Sequence, residues 1–255
     1  MPVLTTTRDA GVATIRIDRP PANAVDPAMI AEFREVLPPL ADDPEVRCLV
    51  ITGTGKFFIA GADIAVMRDL SDVNQAKMRG WIDVQRILER APKPVIAAMN
   101  GHALGGGAEL ALACDLRILS AAASFGYPEI TLGLFPGAGG SQRLPRLVGP
   151  HRAKRLMIEG TRLTAQQALE FGLVDRVVDP GLFDAAVAEE ARLLAAKPTA
   201  AIGILKRVVD EGHGLPIEEA LLREGKGVTE LTRTADAAEG LQAFLDKRPP
   251  RFIGH

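Results

Sequence analysis

Asn100-Gly101-His102-Ala103-Leu104-Gly105-Gly106-Gly107-Ala108-Glu109 joins two stretches of different character. Before it, Pro94-Val95-Ile96-Ala97-Ala98-Met99 is a continuous apolar run that reads as a buried strand. After it, Ala108 to Cys114 is rich in Ala and Leu and reads as a buried helix. Gly105, Gly106 and Gly107 let the backbone turn sharply between them and leave N–H groups unpaired where the helix begins. Such an end attracts negative charge, because free donors and the helix dipole act together. Glu109 lies in the first helical turn and is followed by Leu110, Ala111, Leu112 and Ala113, so it must border the core, where desolvation raises a carboxyl pKa.

A second carboxylate among apolar neighbours follows at Glu129, within Phe125-Gly126-Tyr127-Pro128-Glu129-Ile130, and then a second glycine-rich turn, Pro136-Gly137-Ala138-Gly139-Gly140. A three-glycine turn on its own is most often a tight connection, and a lone glutamate usually lies on the surface. Two such turns and two such acids within about forty residues point instead to a constellation of two acids and free amides around one pocket.

A chain of 255 residues can form one large domain with a small appendage and a substantial core. Its two cysteines, Cys48 and Cys114, sit in apolar runs and read as buried free thiols, which suits a reducing compartment. The opening Met1-Pro2-Val3-Leu4-Thr5-Thr6-Thr7 has no basic stretch leading into an apolar one, and no apolar run approaches the ~20 residues that span a bilayer. The expectation is a cytoplasmic protein without a membrane partner. A net charge of −2, one Trp and one Tyr give neither a basic stripe nor a stacking platform for nucleic acid. His102, His151, His213 and His255 lack metal-ligand spacing, so no metal site is expected. Ser124 and Ser141 lack a nucleophile-elbow pattern, and Cys48 lies inside a strand-like run. The carboxylates remain as the chemistry-bearing groups.

Along the chain, Val12 to Ile17 predicts a strand paired with Val3 to Thr7 across a turn near Gly11. Asp26-Pro27 predicts the start of a helix that ends near Pro38-Pro39. Val46 to Ile51 predicts a central strand, ended by the turn Thr52-Gly53-Thr54-Gly55. In Phe57-Phe58-Ile59-Ala60-Gly61-Ala62-Asp63-Ile64, the small residues Ala60, Gly61 and Ala62 allow either close approach to a ligand or close packing of two elements. An amphipathic helix is expected over Lys77 to Arg90, and a strand over Leu116 to Leu119. Thr164 and Gln167 form a capping box for a helix ending at Gly172, before a short strand at Leu173 to Val178. Helices follow over Leu182 to Ala196, Ala200 to Glu211, Pro216 to Thr232 and Ala235 to Lys247. Strand and helix units followed by helices alone predict an α/β core with a C-terminal helical subdomain.

At Pro21 to Ala24, Phe58 to Ile64, Asn100 to Glu109, Phe125 to Glu129 with Leu132-Gly133, Pro136 to Gly140 and Ala168 to Val174, the chain resembles the enoyl-CoA hydratase/isomerase, or crotonase, family over essentially its whole length. The resemblance implies a crotonase-like spiral of ββα units with two nearly perpendicular sheets (residues 1–196), and a helical C-terminal subdomain (residues 197–255) used in trimers or dimers of trimers. It implies a thioester oxygen held by the N–H groups of Ala62 and Gly106. It also implies that Glu109 and Glu129 hold a water that adds to C3 of a trans-2-enoyl-CoA while Glu129 delivers a proton to C2. Gly137 matches a position whose N–H helps hold the water. Ala60, Ala62, Asp63 and Ile64 match substrate-lining positions, and Ala22 a backbone contact to CoA. Coenzyme A would be part of the substrate, with no separate cofactor.

The chain also departs from the family. Ala65 and Val66 stand where many hydratases carry a lysine and a glutamate, and Tyr127 stands where Gln is common, either shaping the acyl pocket or packed as an aromatic. Lys247, Arg248 and Arg251 are either a solvated tail or a cluster that reaches the CoA phosphates. Both carboxylates being present favours a hydratase. A Δ3,Δ2-enoyl-CoA isomerase, which needs one proton carrier, is the alternative. RNA-binding relatives use a lysine-rich helix, whereas the Ala31 to Asp43 segment here is acidic overall.

Overall fold

In the computed structural model, residues 2–69 and 71–254 are described. His255, one of the histidines considered above, lies outside them, as do Met1 and Leu70. The chain opens with β1 (Leu4–Asp9) and β2 (Val12–Ile17), antiparallel from Leu4↔Ile17 to Asp9↔Val12. Ala10 and Gly11 between them have φ of 47° and 77°, the left-handed pair that a two-residue hairpin turn requires.

Helix α1 (Pro27–Asp42) starts as expected, with the Asp26 side chain accepting the N–H of Met29 at 2.8 Å. It does not stop at Pro38-Pro39 but runs through both. The prolines deprive the carbonyls of Arg34 and Glu35 of helical donors, but both of those residues are exposed to water. The last turn buries Leu37, Leu40 and Ala41, and Lys93 Nζ donates to Leu40 O (3.1 Å) and Asp43 O (2.7 Å). Tertiary packing and a lysine cap thus outweigh the local break.

From there each strand pair contributes to two sheets. β3 (Cys48–Gly53) is followed by β4 (Phe57–Ile59), then α2 (Ile64–Met67) and α3 (Asp72–Arg90). β5 (Val95–Met99) is followed by β6 (His102–Leu104) and α4 (Gly106–Leu112). β7 (Leu116–Ser120) is followed by β8 (Ser124–Gly126), a 3₁₀ turn at Pro128–Leu132, and helices α5 (Gly140–Val148) and α6 (Pro150–Glu159). β9 (Arg162–Thr164), α7 (Ala165–Glu170) and β10 (Arg176–Val178) complete the sheets. The expected capping box is present on α7, whereas the strand expected from Leu173 is confined to β10.

The larger sheet has the order β1-β2-β3-β5-β7-β10, parallel except for the β1/β2 pair. Every residue of β3 and β5 is buried, which is why these strands read as unbroken apolar runs. One face, through Leu49, Ile51, Val95 and Ala97, joins the main core. The opposite face, through Cys48, Val50, Ile96 and Ala98, is covered by α8 (Phe183–Ala195). The smaller sheet has the order β4-β6-β8-β9, and each of its strands has only three residues. Asn100 ties the bend between the sheets, accepting from Gly53 N (2.9 Å) and donating to Gly55 O (3.0 Å).

Helices α9 (Thr199–Gly212), α10 (Ile217–Leu231) and α11 (Ala235–Leu245) follow α8, so the division expected at 196/197 falls between α8 and α9. Lys206 on α9 reaches back to Asp115 (2.7 Å) and to the carbonyls of Leu88 and Lys93. Asp236 accepts the N–H groups of Ile253 and Gly254, and Arg47 donates to Phe252 O and Lys197 O. Among the described residues no helix is long and apolar enough to cross a membrane, and no group of three or more His, Cys, Asp or Glu side chains could hold a metal ion.

Candidate active site

Three segments that each follow a strand of the small sheet meet at Gly105. It lies between β6 and α4 with φ of 52°, and a Cβ there would stand 2.9 Å from Glu129 Oε1 and 3.4 Å from Gly61 Cα. Glycine is demanded both by the backbone conformation and by the absence of room. The loop after β4, the turn before α4 and the acid after β8 are therefore packed against one another.

The backbone donors come from the first two. Gly61 (φ 113°) lies against the start of α4, since its Cβ would stand 3.5 Å from Leu104 O and 3.9 Å from Gly106 N. Ala62 forms a bridge to Val25, but that bridge uses Gly61 O and Asp63 N and leaves the Ala62 N–H out. Gly106 is the first residue of α4, where an N–H has no helical acceptor. Neither the Ala62 nor the Gly106 N–H has an acceptor among the described residues. The peptide that follows Gly106 is steadied from behind by buried Trp81, whose Nε1 donates to Gly106 O at 3.1 Å.

Glu109 is 3 % exposed, and its Oε1 accepts the N–H groups of Ala138 (2.8 Å) and Gly140 (2.9 Å). Gly139 between them has φ of 112°, which turns the two flanking amides toward one oxygen. Gly140 must stay a glycine, as a Cβ would meet Pro136 at 2.8 Å and Glu109 at 3.0 Å. Burial pushes the Glu109 carboxyl up, while the two amides and then Arg143 pull it back. Glu129 is treated differently. Burial and the nearby charge of Glu109 raise it to about 7 against only its own N–H, and its Oε2 is buried without a partner. The net direction at Glu109 is still upward, but it has two amides and a cation opposing burial where Glu129 has only its own N–H. In the pair the two acids are thus unequal.

The structure brings Ala62, Gly106, Glu109 and Glu129 together around Gly105. Gly137 is exposed and makes no bond to either carboxylate; its neighbours Ala138 and Gly140 do so. Ala22 O is taken by Ala60 N (3.1 Å), which seats the Ala22 loop on the Ala60–Ala62 segment, and Ile64 presents an exposed apolar side chain. The Asp63 carboxylate is committed to Arg19 (2.8 Å) and to the N–H of Ala65, which caps α2, so both hold its carboxyl below the usual range.

Residues that sequence reading passed over hold this loop in place. Buried Asn23 donates to Thr54 O, Phe57 O and Phe58 O and accepts from Arg19 N, while Arg19 also pairs with Asp26. Tyr127 is a packed aromatic, fully buried and edge-on to Phe125 at 5.9 Å, with its phenol oxygen unpartnered. In the C-terminal basic cluster, Arg248 is engaged by Glu239 (2.7 Å) and Asp246 (3.4 Å).

Unpaired amides beside two carboxyls with unequal hydrogen bonding are the kinds of group that stabilising an oxyanion and moving a proton require. The chain belongs to the enoyl-CoA hydratase/isomerase family, whose model matches residues 7–255. It is 42% identical over 250 residues to the crotonyl-CoA hydratase of Syntrophomonas wolfei, covering 96% of each chain. It is 39% identical to the short-chain-enoyl-CoA hydratase of Clostridium acetobutylicum, over 94% of each. The crystal structure of an enoyl-CoA hydratase from Bacillus anthracis superposes with a TM-score of 0.94 at 36% identity, covering 99% of this chain and 100% of that one. The crotonase fold expected from the sequence is thereby shown.

Proposed function

We propose that this chain is an enoyl-CoA hydratase that adds water reversibly across the 2,3 double bond of a trans-2-enoyl-CoA to give the 3-hydroxyacyl-CoA. The observation that carries the reading is the unequal pair, Glu109 gripped by two amides and Glu129 with a bare buried oxygen, placed beside the unbonded N–H groups of Ala62 and Gly106. In this reading the thioester oxygen accepts from those two N–H groups. As the water oxygen bonds to C3, charge gathers on that thioester oxygen, where fixed donors stabilise it without reorganising. Glu109 takes the proton from the water, and Glu129 gives its proton to C2. The proposed chemistry uses the thioester and water alone, with CoA as the carrier of the acyl group. A Δ3,Δ2-isomerase is the second reading, favoured by Glu129 near 7, since one such group can carry a proton from C2 to C4 and back.

Hydration of crotonyl-CoA and longer 2-enoyl-CoAs, measured beside isomerisation of 3-enoyl-CoAs, tests the choice. Ionised Glu109 is lost as pH falls and protonated Glu129 is lost as pH rises, so kcat/KM for hydration is expected to fall on both sides of an optimum. The two limbs report apparent values of the coupled pair. A preparation that isomerises 3-enoyl-CoAs but does not hydrate crotonyl-CoA overturns the hydratase reading.

The reading extends to a cytoplasmic homotrimer or dimer of trimers. The assembly is supported by large apolar side chains left open on the C-terminal helices, among them Leu222, Leu241, Phe244 and Leu245. Light scattering at micromolar concentration is expected to give three or six times the chain mass, and a monomer mass sinks the assembly.

A further inference from the structure

Trp81, Gln85 and Glu89 recur every fourth residue on α3 and so lie along one face of the helix. Trp81 holds the carbonyl of Gly106, as described. The other two hold Arg143 of α5: its Nε and Nη2 meet the two oxygens of Glu89 at 2.5 and 3.0 Å, and its Nη1 meets Gln85 Oε1 at 2.6 Å. From this clamp the guanidinium sits under the loop that grips Glu109. Its Nη1 is 3.4 Å from Ala138 O, and a side chain at Gly139 would collide with it. Gln85 is fully buried and the Arg143–Glu89 pair is mostly shielded, so the fork is held in a geometry that only a bidentate guanidinium matches.

We propose that Arg143, clamped by Gln85 and Glu89, is a positioning residue that fixes the 136–140 loop so that the amides of Ala138 and Gly140 stay on Glu109 Oε1. The inference rests on the hydratase reading for its consequence in turnover. One face of α3 then touches both halves of the site, the peptide that follows the Gly106 N–H through Trp81 and the base through Arg143. The charged and titratable groups around Glu109 are Arg143 from α5, Tyr127 and Glu129 from the segment after β8, and Glu89 from α3 through Arg143.

The sign follows from the charges. Arg143→Met removes a cation and loosens two amides, both of which favour ionised Glu109, so the Glu109 titration and the acid limb of kcat/KM move to higher pH. A shift on the order of one pH unit is expected, with kcat down by about 10- to 100-fold. The KM for crotonyl-CoA stays within about threefold, because Ala62 and Gly106 are untouched. Arg143→Lys keeps the charge without the fork and is expected to fall between.

The Glu109 signal is read by carboxyl ¹³C NMR of the full chain and assigned by its loss in Glu109→Gln. A folded Arg143→Met variant whose Glu109 titration and acid limb do not move overturns the proposal, even if turnover drops. Should that variant not fold, Gln85→Met, which weakens the clamp while leaving Arg143 and every charge in place, is expected to move the same two readouts in the same direction, and unmoved values there overturn it. A wild-type chain that hydrates no enoyl-CoA sinks the functional reading alone, because the NMR titration still decides what Arg143 does.

Discussion

The Glu129→Gln variant is expected to lose hydration of crotonyl-CoA by at least ~10²-fold, and with it any 3-enoyl to 2-enoyl isomerisation, the scale on which positioned acid–base groups act. Glutamine is nearly isosteric with the protonated acid that the site favours there, so packing around Gly105 survives and the titrating proton alone is removed. Glu109→Gln is expected to lose hydration on the same scale yet retain CoA-thioester binding. Its side-chain carbonyl can still accept from Ala138 and Gly140, which keeps the loop in place. What it lacks is the capacity to take a proton from water. The pair of variants separates the readings: hydration in Glu109→Gln at the wild-type rate removes the base from the mechanism and moves the assignment toward an isomerase.

Ala62→Pro is expected to lower kcat by about 10²- to 10³-fold, the cost of removing one oxyanion donor. The variant deletes an N–H that bonds to nothing in the described structure, while the bridge to Val25, made through Gly61 O and Asp63 N, keeps its donors and acceptors. Ala62→Ser retains the N–H and is expected to stay near wild type. Steady-state hydration of both, with folding checked by circular dichroism, gives the comparison. Equal losses in two equally folded variants would mean that the loop, and not its amide, carries the effect.

Local chemistry was readable in the chain. The glycine turn before Glu109, the Asp26 and Thr164 caps, and the buried central strands announce themselves within a few residues, since each is decided by its own neighbours. The small sheet did not, because strands of three residues are too short to show alternation. His102–Leu104 accordingly read as connection and not as β6. The run of α1 through Pro38 and Pro39 depends on Lys93, far away in the sequence. Glu109 could be singled out from its setting, but that Ala138 and Gly140 hold it, and Gly137 does not, depends on the backbone angle at Gly139. Arg19, Asn23 and Arg143 act through partners that only the folded chain brings near.

The small sheet has a bearing on how such a site can diversify. Strands β4, β6 and β8 are parallel neighbours, and Ala62, Gly106 with Glu109, and Glu129 each lie just beyond one of them. Neighbouring strands are spaced about 4.8 Å apart, so the sheet works as a rack with one interchangeable tool per slot. On the proposed roles, a mutation in the loop after β8 can exchange the proton carrier for another group while the two slots assigned to the thioester stay as they were, which lets new reactions be tried on a carrier-bound substrate without first relearning how to hold it.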